Sequence, residues 1–288
     1  MKANQNRRKF LGTAIASGAA ATLPSISSEK ETHSSETLVA QLYNSLNEKQ
    51  KSAICFDFDH KLRLAVDNNW HITKPQLSNS YTPDQQELVK EIFMGLHSEK
   101  YAKTVYDQVV HDSGLAGFGD SSIALFGKPG TGKFEFVLTG RHCTRRCDGD
   151  SVEGTAFGGP IFYGHAAEGF VEKPDHPGNA YWYQAKKANE VFQMLNGKQR
   201  KLALIDECRD EEGTDTVKLT GKKKGLEGIP MTELTTDQKN KVRETLVDIM
   251  APYREKDSKE ALKLIDQAGF DHFHMAFSEI EDVNKNAS

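Results

Sequence analysis

Long apolar runs are missing from this chain. No stretch approaches the ~20 residues of a membrane-spanning helix, so no such helix is expected in the mature protein. Cysteine is scarce too. Cys55, Cys143, Cys147 and Cys208 are few for a disulfide scaffold of 288 residues, and buried free thiols are the plain expectation. Four cysteines leave three pairings open. On one straight strand Cys143 and Cys147 sit ~13 Å apart, beyond the ~7 Å limit for a bridge. No G-x-S-x-G occurs, so the hydrolase nucleophile elbow is absent. Basic charge is also in deficit: 37 Lys and Arg face 41 Asp and Glu, a formal charge of −4. That balance argues against nucleic acid as a partner.

The N-terminus supplies a positive cluster, Arg7-Arg8-Lys9-Phe10-Leu11, followed by the mildly apolar GTAIASGAAATL. Small residues at Ala19-Ala20-Ala21 complete the pattern of a cleavable export signal over residues 1–21. Paired arginines before Phe-Leu resemble the twin-arginine signal. The expected partner is then the twin-arginine machinery, and the expected destination the periplasm or cell envelope. That route resembles a path for proteins exported folded, often with a cofactor inside. The signal holds Lys2, Arg7, Arg8 and Lys9 and no acid, so its removal takes the charge from −4 to −8. Residues 22–33 read as a flexible linker, 34–278 as a single α+β domain, and 279–288 as a polar tail.

Apolar spacing predicts helices over Ser35–Leu46 and on to about Ile54, then over Tyr101–Val110, Ala180–Leu195 and Ser258–Ala268. Two signals recur. SLNEKQKSAI returns as MLNGKQRKLAL, and Thr82-Pro83-Asp84-Gln85 returns as Thr235-Thr236-Asp237-Gln238. Each places a capping residue three positions before a glutamine, the capping-box spacing. Gln50 to Gln85 is 85 − 50 = 35 residues, and Gln199 to Gln238 is 238 − 199 = 39. The reading is a helix-loop-helix unit present twice, with long loops at about 56–81 and 207–234. Loops of that length are usually functional or mobile.

Between the units lies Ser121–His165, the densest strand pattern in the chain. GKPGTGKF matches the P-loop spacing, but Phe134 stands where Ser or Thr is needed and a strand pattern follows. It reads as a hairpin turn, and no nucleotide is expected. CFDFDH resembles the Asp-x-Asp opening of haloacid-dehalogenase phosphatases, but no βα repeats follow, so it reads as a surface loop. Read as one strand, 134–147 puts His142 at the end of the apolar face, with Cys143 and Cys147 on the other face. Arg141, Arg145 and Arg146 then decorate a solvated edge strand, with an anion site as the sharper alternative. Gly158-Gly159-Pro160 is either a chain reversal or a close backbone approach to a ligand. Phe270–Phe277 alternates as a strand, with His272 and His274 on one face.

The Leu-Thr-Gly-x-His, Arg-x-Cys-Asp-Gly and Gly-Gly-Pro-Ile-Phe-Tyr-Gly-His segments resemble an uncharacterised group, domain-of-unknown-function family 3500. The resemblance covers most of the mature chain, including the Leu-Asn-x-x-Gln helices, the Trp70 loop and the His-x-His near the end. The family commonly reads Gly-His-His where this chain has Gly140-Arg141-His142. His142 matches the second histidine, Arg141 departs at the first, and the chain looks shortened at its C-terminus. No activity comes with the resemblance.

The expected architecture is α+β: a mainly antiparallel sheet from 121–165 and 270–277, flanked by two related helix-loop-helix units. Two functions compete. One is a histidine-centred site for zinc or copper on His142, His165, His272 and His274, with Arg141, Cys143, Cys147, Gly158, Gly159 and Trp70 as further candidates. The other is a non-catalytic binding module of the cell envelope using the two long loops.

Overall fold

The computed structural model describes residues 34–165, 173, 175–176, 178–206, 221 and 224–278. The chain divides into two units, Met1–Thr32 and His33–Ser288, and every element below lies in the second. The segments expected to be an export signal, a linker and a polar tail, together with Cys208, lie outside the described residues.

The first half begins with α1 (Ser35–Ser45), whose Leu38, Val39 and Leu42 are buried. They pack into one core with Val89, Ile92 and Phe93 of α4 (Pro83–Gly95). Between these helices run α2 (Glu48–Ile54), β1 (Cys55–Phe56) and the short α3 (Leu77–Ser80). After α4 come α5 (Glu99–Asp112) and β2 (Ser122–Gly127). β3 (Phe134–Gly140), β4 (Cys143–Cys147) and β5 (Phe162–Tyr163) complete a sheet ordered β1-β2-β3-β4-β5.

That sheet is mixed rather than mainly antiparallel. β1 and β2 run parallel because a long crossover joins them, while β2 to β5 are antiparallel. Residues 128–133 make the expected hairpin turn, closed by Lys128 N–H donating to Lys133 O at 2.9 Å. Residues 134–147 are two strands, not one. The chain reverses at Arg141-His142, with Gly140 opposite Cys143 and His142 in the left-handed region at φ 49°. The reversal reassigns the faces. Cys143 and Cys147 join Phe134, Phe136 and Leu138 in the helix-facing core, and all three described cysteines carry free thiols.

The opposite sheet face is covered as well. Ala124, Phe126 and Val137 pack under Ile72, with Phe56, Phe58, Leu62 and Trp70 around them. The first long loop is therefore a lid on the sheet. Most of the second, 207–220 and 222–223, lies outside the described residues.

The second half contains α6 (Trp182–Gln193), α7 (Gly197–Ala203), β6 (Leu204–Ile205), β7 (Ile229–Pro230), α8 (Thr236–Met250) and α9 (Glu255–Ala268). β8 (His274–Met275) and β9 (Phe277–Ser278) follow. Contrary to expectation, this last segment does not enter the large sheet. β8 pairs with β7, and β9 pairs parallel with β6.

The halves repeat in detail. All four capping boxes form, at Asn47/Gln50, Thr82/Gln85, Asn196/Gln199 and Thr235/Gln238. The glutamines then pair side chain to side chain. Gln50 and Gln85 exchange amide hydrogen bonds of 2.8 and 3.2 Å, and Gln199 and Gln238 exchange two of 2.9 Å. The strand register repeats too. Cys55 lies opposite Leu125 as Leu204 lies opposite Phe277, and Gln76 bridges Ser122 as Pro230 pairs with His274. Where the halves meet, Ser98 N–H donates to Pro252 O and Arg254 N–H donates to Leu96 O, around a His97–Tyr253 bridge. These reciprocal bonds define a local twofold axis between the helix junctions.

Arg145 fills that axis. Its guanidinium is buried and donates to His97 Nε2 (3.0 Å), Phe162 O (2.8 Å) and Tyr181 Oη (3.1 Å), with Phe93, Tyr163 and Tyr253 rings around it. Burial, helped by the Arg145 charge, drives His97 down to about 3. Neutral His97 accepts from Arg145 while its Nδ1 donates to Phe93 O at 2.7 Å. Arg146 is buried on the other face against Glu135 (2.5 Å), which also receives Arg63 at 3.0 Å. Neither arginine is solvated, so β4 is an interior strand and not the exposed edge its charges suggest.

Candidate metal centre

Among the described residues, the group that could hold a metal ion forms at the end of α5. The helix places Gln108, His111 and Asp112 in its last turn, where backbone carbonyls point outward and favour cations. The chain returns 53 residues later, after β5, and sets His165 against this helix end. One ligand atom from each of His111, Asp112 and His165 lies within 4.8 Å of the others, and among the described residues no other such group of three forms. The Asp112 side chain is 1% exposed and His165 10%, so water does little to screen them.

Gln108 ties the cluster together. Its Oε1 accepts from Ala180 N–H at 2.6 Å, which fixes the amide's orientation. Its Nε2 is then a donor to both Asp112 Oδ2 (2.9 Å) and His165 Nδ1 (2.7 Å). His165 Nδ1 also lies 3.0 Å from Asp112 Oδ1, so Gln108, Asp112 and His165 form one connected hydrogen-bonded cluster in a nearly dry site.

His111 stacks on His165, with ring centroids 5.6 Å apart, and on His176, 5.4 Å apart. Gly178 closes this stack. A β-carbon there would lie 2.9 Å from His111 Cδ2 and 3.0 Å from both His111 Nε2 and His176 Nδ1, so only glycine lets the backbone approach. Gly178 N–H donates to His176 Nδ1 at 3.0 Å.

Of the four histidines expected from sequence, the centre uses His165. His142 lies at the β3–β4 turn, tied to the same segment by Gly164 N–H donating to His142 O at 3.2 Å. His272 is exposed on a 3-10 turn, Phe270–His272, and so does not share a strand face with His274. His274 pairs with Pro230 in the small sheet, its Nδ1 buried without a hydrogen bond among the described residues. Arg141 is exposed in the turn. Cys143 and Cys147 face the helix core, where burial raises both thiols above their ordinary range.

Gly158 and Gly159 serve the fold. A β-carbon at Gly158 would meet Asp148 at 2.7 Å, and one at Gly159 would press on the Arg146 guanidinium at 3.4 Å. Trp70 Nε1–H donates to Thr144 Oγ1 at 3.0 Å, which commits the indole to the sheet. Asp57 and Asp59 of the Asp-x-Asp motif are exposed beside β1.

A model of the family described as a protein of unknown function (DUF3500) matches residues 28–286. The chain belongs to the DUF3500 family. A comparison with curated proteins gives no match, and neither does one with solved structures. No helix among the described residues of this DUF3500 chain is long and apolar enough to cross a membrane.

Sequence reasoning overlooked His111, Asp112, Gln108 and His176. The predicted helix stopped at Val110, one residue before His111 and Asp112. Had it run one more turn, Gln108, His111 and Asp112 would have stood together at i, i+3 and i+4. His176 sits in the EKPDHPGN turn cluster, where only the turn signal was read.

Proposed function

We propose that this protein is exported and carries a mononuclear divalent-metal centre on His111, Asp112 and His165. The observation that carries the centre is the convergence of the three side chains, one ligand atom of each within 4.8 Å of the others, with Gln108 bonded to both Asp112 and His165. Two imidazoles and a carboxylate suit zinc and its first-row neighbours. Copper(I) is disfavoured, because no thiolate or thioether is in the set. A bound ion there supplies Lewis acidity. Gln108 holds the carboxylate and the imidazole in position, the outer-shell role that metal ligands usually require.

Export is supported by Arg7-Arg8 and the short apolar stretch after them, and passage of a folded protein through the twin-arginine machinery suits a centre filled beforehand. The test of the centre is titration of chelator-treated full-length protein with zinc(II) and cobalt(II). One ion per chain is expected for the native protein, and at least tenfold weaker binding for Asp112→Asn. A folded native protein that takes up neither ion refutes the centre. For export, a double Arg7→Lys, Arg8→Lys variant is expected to stay in the cytoplasmic fraction. Unchanged delivery to the envelope fraction would overturn the twin-arginine assignment.

A further inference from the structure

We propose that Arg145 is the positioning residue of the centre: one buried guanidinium holds both segments that complete it, the strand leading to His165 and the turn that fixes Gln108. This deepens the metal reading above and rests on it. The centre is assembled from three pieces of chain. α5 supplies Gln108, His111 and Asp112. His165 follows β5 by two residues. The turn at 178–181 brings Ala180 N–H to Gln108 Oε1 at 2.6 Å. β5 is weakly held by its ladder alone. It is two residues long and pairs with β4 only as Cys143 opposite Tyr163 and Thr144 opposite Phe162.

Arg145 adds what that ladder lacks. It donates to Phe162 O at 2.8 Å, three residues before His165. It also donates to Tyr181 Oη at 3.1 Å, beside Ala180 in sequence. The two segments so gripped stack on each other through Tyr163 and Tyr181, with ring centroids 4.4 Å apart. A further bond, Nε–H to His97 Nε2, anchors the guanidinium to the residue that bridges Tyr253 at the junction of the halves.

The chemistry of the site sets Arg145 apart from its neighbour. Arg146 meets a carboxylate, Glu135. Every acceptor of Arg145 among the described residues is neutral: an imidazole, two carbonyls and a phenol hydroxyl. Burying a charge without a counter-ion costs stability, and an apolar side chain would fill the same ring of Phe93, Tyr163 and Tyr253 without that cost. An apolar side chain cannot bond separate chain segments at fixed angles, which is what a planar fork of N–H donors does.

The test uses chelator-treated full-length protein and cobalt(II), read by visible absorption. Tyr181→Phe removes one acceptor of Arg145 and keeps the ring. Arg145→Lys keeps the charge and loses the fork. Gln85→Ala loosens the first half and touches neither segment. Binding at least ~5-fold weaker than native is expected for Tyr181→Phe and at least ~10-fold weaker for Arg145→Lys, each with an altered cobalt spectrum, while Gln85→Ala stays within about twofold of native. A second readout needs no metal. The imidazole nitrogen resonances of His165 in metal-free protein should move in Tyr181→Phe and Arg145→Lys and stay in place in Gln85→Ala.

Where native protein binds cobalt, affinity decides. A native-like affinity and spectrum in folded Tyr181→Phe overturns the assignment. An equal loss in Gln85→Ala also overturns it, because the effect then follows stability alone. Where folded native protein binds no cobalt, the metal reading falls and the His165 resonances decide. Unchanged in Tyr181→Phe, they overturn the positioning role too; moved as expected, they leave Arg145 as the residue that positions the Gln108–Asp112–His165 cluster. Tyr181→Phe decides by itself if Arg145→Lys does not fold.

Discussion

The two halves share a frame and differ in everything placed on it. Both carry a pair of capped helices latched by a glutamine pair, a parallel two-strand contact and a 14-residue helix, α5 in one and α9 in the other. Aligning their caps, Ser98 with Arg254, gives an offset of 254 − 98 = 156. Under that offset Gln108, His111 and Asp112 correspond to Leu264, Gln267 and Ala268. The second half therefore has the helix and none of these three side chains. It also lacks a described counterpart of β3 to β5, the strands that lead the chain back to His165. The repeat supplies a scaffold, and the proposed centre combines side chains of one copy's helix with His165, which follows strands that only this copy carries among the described residues.

The largest expected effect tests the inserted hairpin. Arg146→Met leaves Glu135 buried with one weaker partner and should cost about 3–5 kcal/mol in chemical denaturation. A loss under ~1 kcal/mol would mean that Arg63 alone neutralises Glu135 and that the hairpin tolerates its asymmetry.

Next comes the junction between halves. His97 is held down to about 3 when folded, against ~6.5 when unfolded, so the unfolded chain takes up the extra proton between those values. The stability from neutral His97 is fully present above pH ~6.5 and is lost at about 1.4 kcal/mol per pH unit as the pH falls toward 3. Urea melts from about pH 7 to about pH 4 should show this slope in native protein and a shallower one in His97→Phe. Equal slopes would remove His97 from the account.

Third, Gln85→Ala and Gln238→Ala each delete a cap, an amide pair and a bond to a carbonyl, at Ser45 O and Met194 O respectively. Each should cost about 1–3 kcal/mol, and the two costs should agree within ~1 kcal/mol. A large mismatch would break the equivalence of the halves.

The smallest effect comes from giving α9 the ligands of α5. Gln267 and Ala268 are both exposed at the end of α9. The double variant Gln267→His, Ala268→Asp should therefore change stability by less than ~1 kcal/mol and leave the metal stoichiometry as in native protein. A second bound ion would show that the insertion is not needed to complete a site.

Legibility in the sequence followed the range of the interactions. Capping boxes are local, so all four and the repeat they mark were readable before any contact was known. The GKPGTGK turn was readable because its Pro and Gly suit a bend and a strand pattern follows. The next turn was not. Arg141-His142 lacks the Asn-Gly or Asp-Gly composition of tight hairpins, and that miss assigned His142 and both cysteines to the wrong faces. Arg145 and Arg146 were read as solvated because arginine is seldom buried. Their partners, His97, Tyr181, Glu135 and a series of carbonyls, come from other parts of the chain. The centre was hidden for the same reason, since Asp112 and His165 meet only once the sheet has formed.

The paired glutamines have a consequence for how the frame ages and where it can work. Two primary amides facing each other form a self-complementary, uncharged unit, each lending one N–H and one carbonyl oxygen. Such a unit is indifferent to ionic strength and to acidity across the range where carboxylates and imidazoles change state. Its vulnerability is hydrolytic: conversion of Gln199 or Gln238 to glutamate turns a neutral contact into a buried acid. Chemical wear, more than a change of surroundings, is what can unlatch either half.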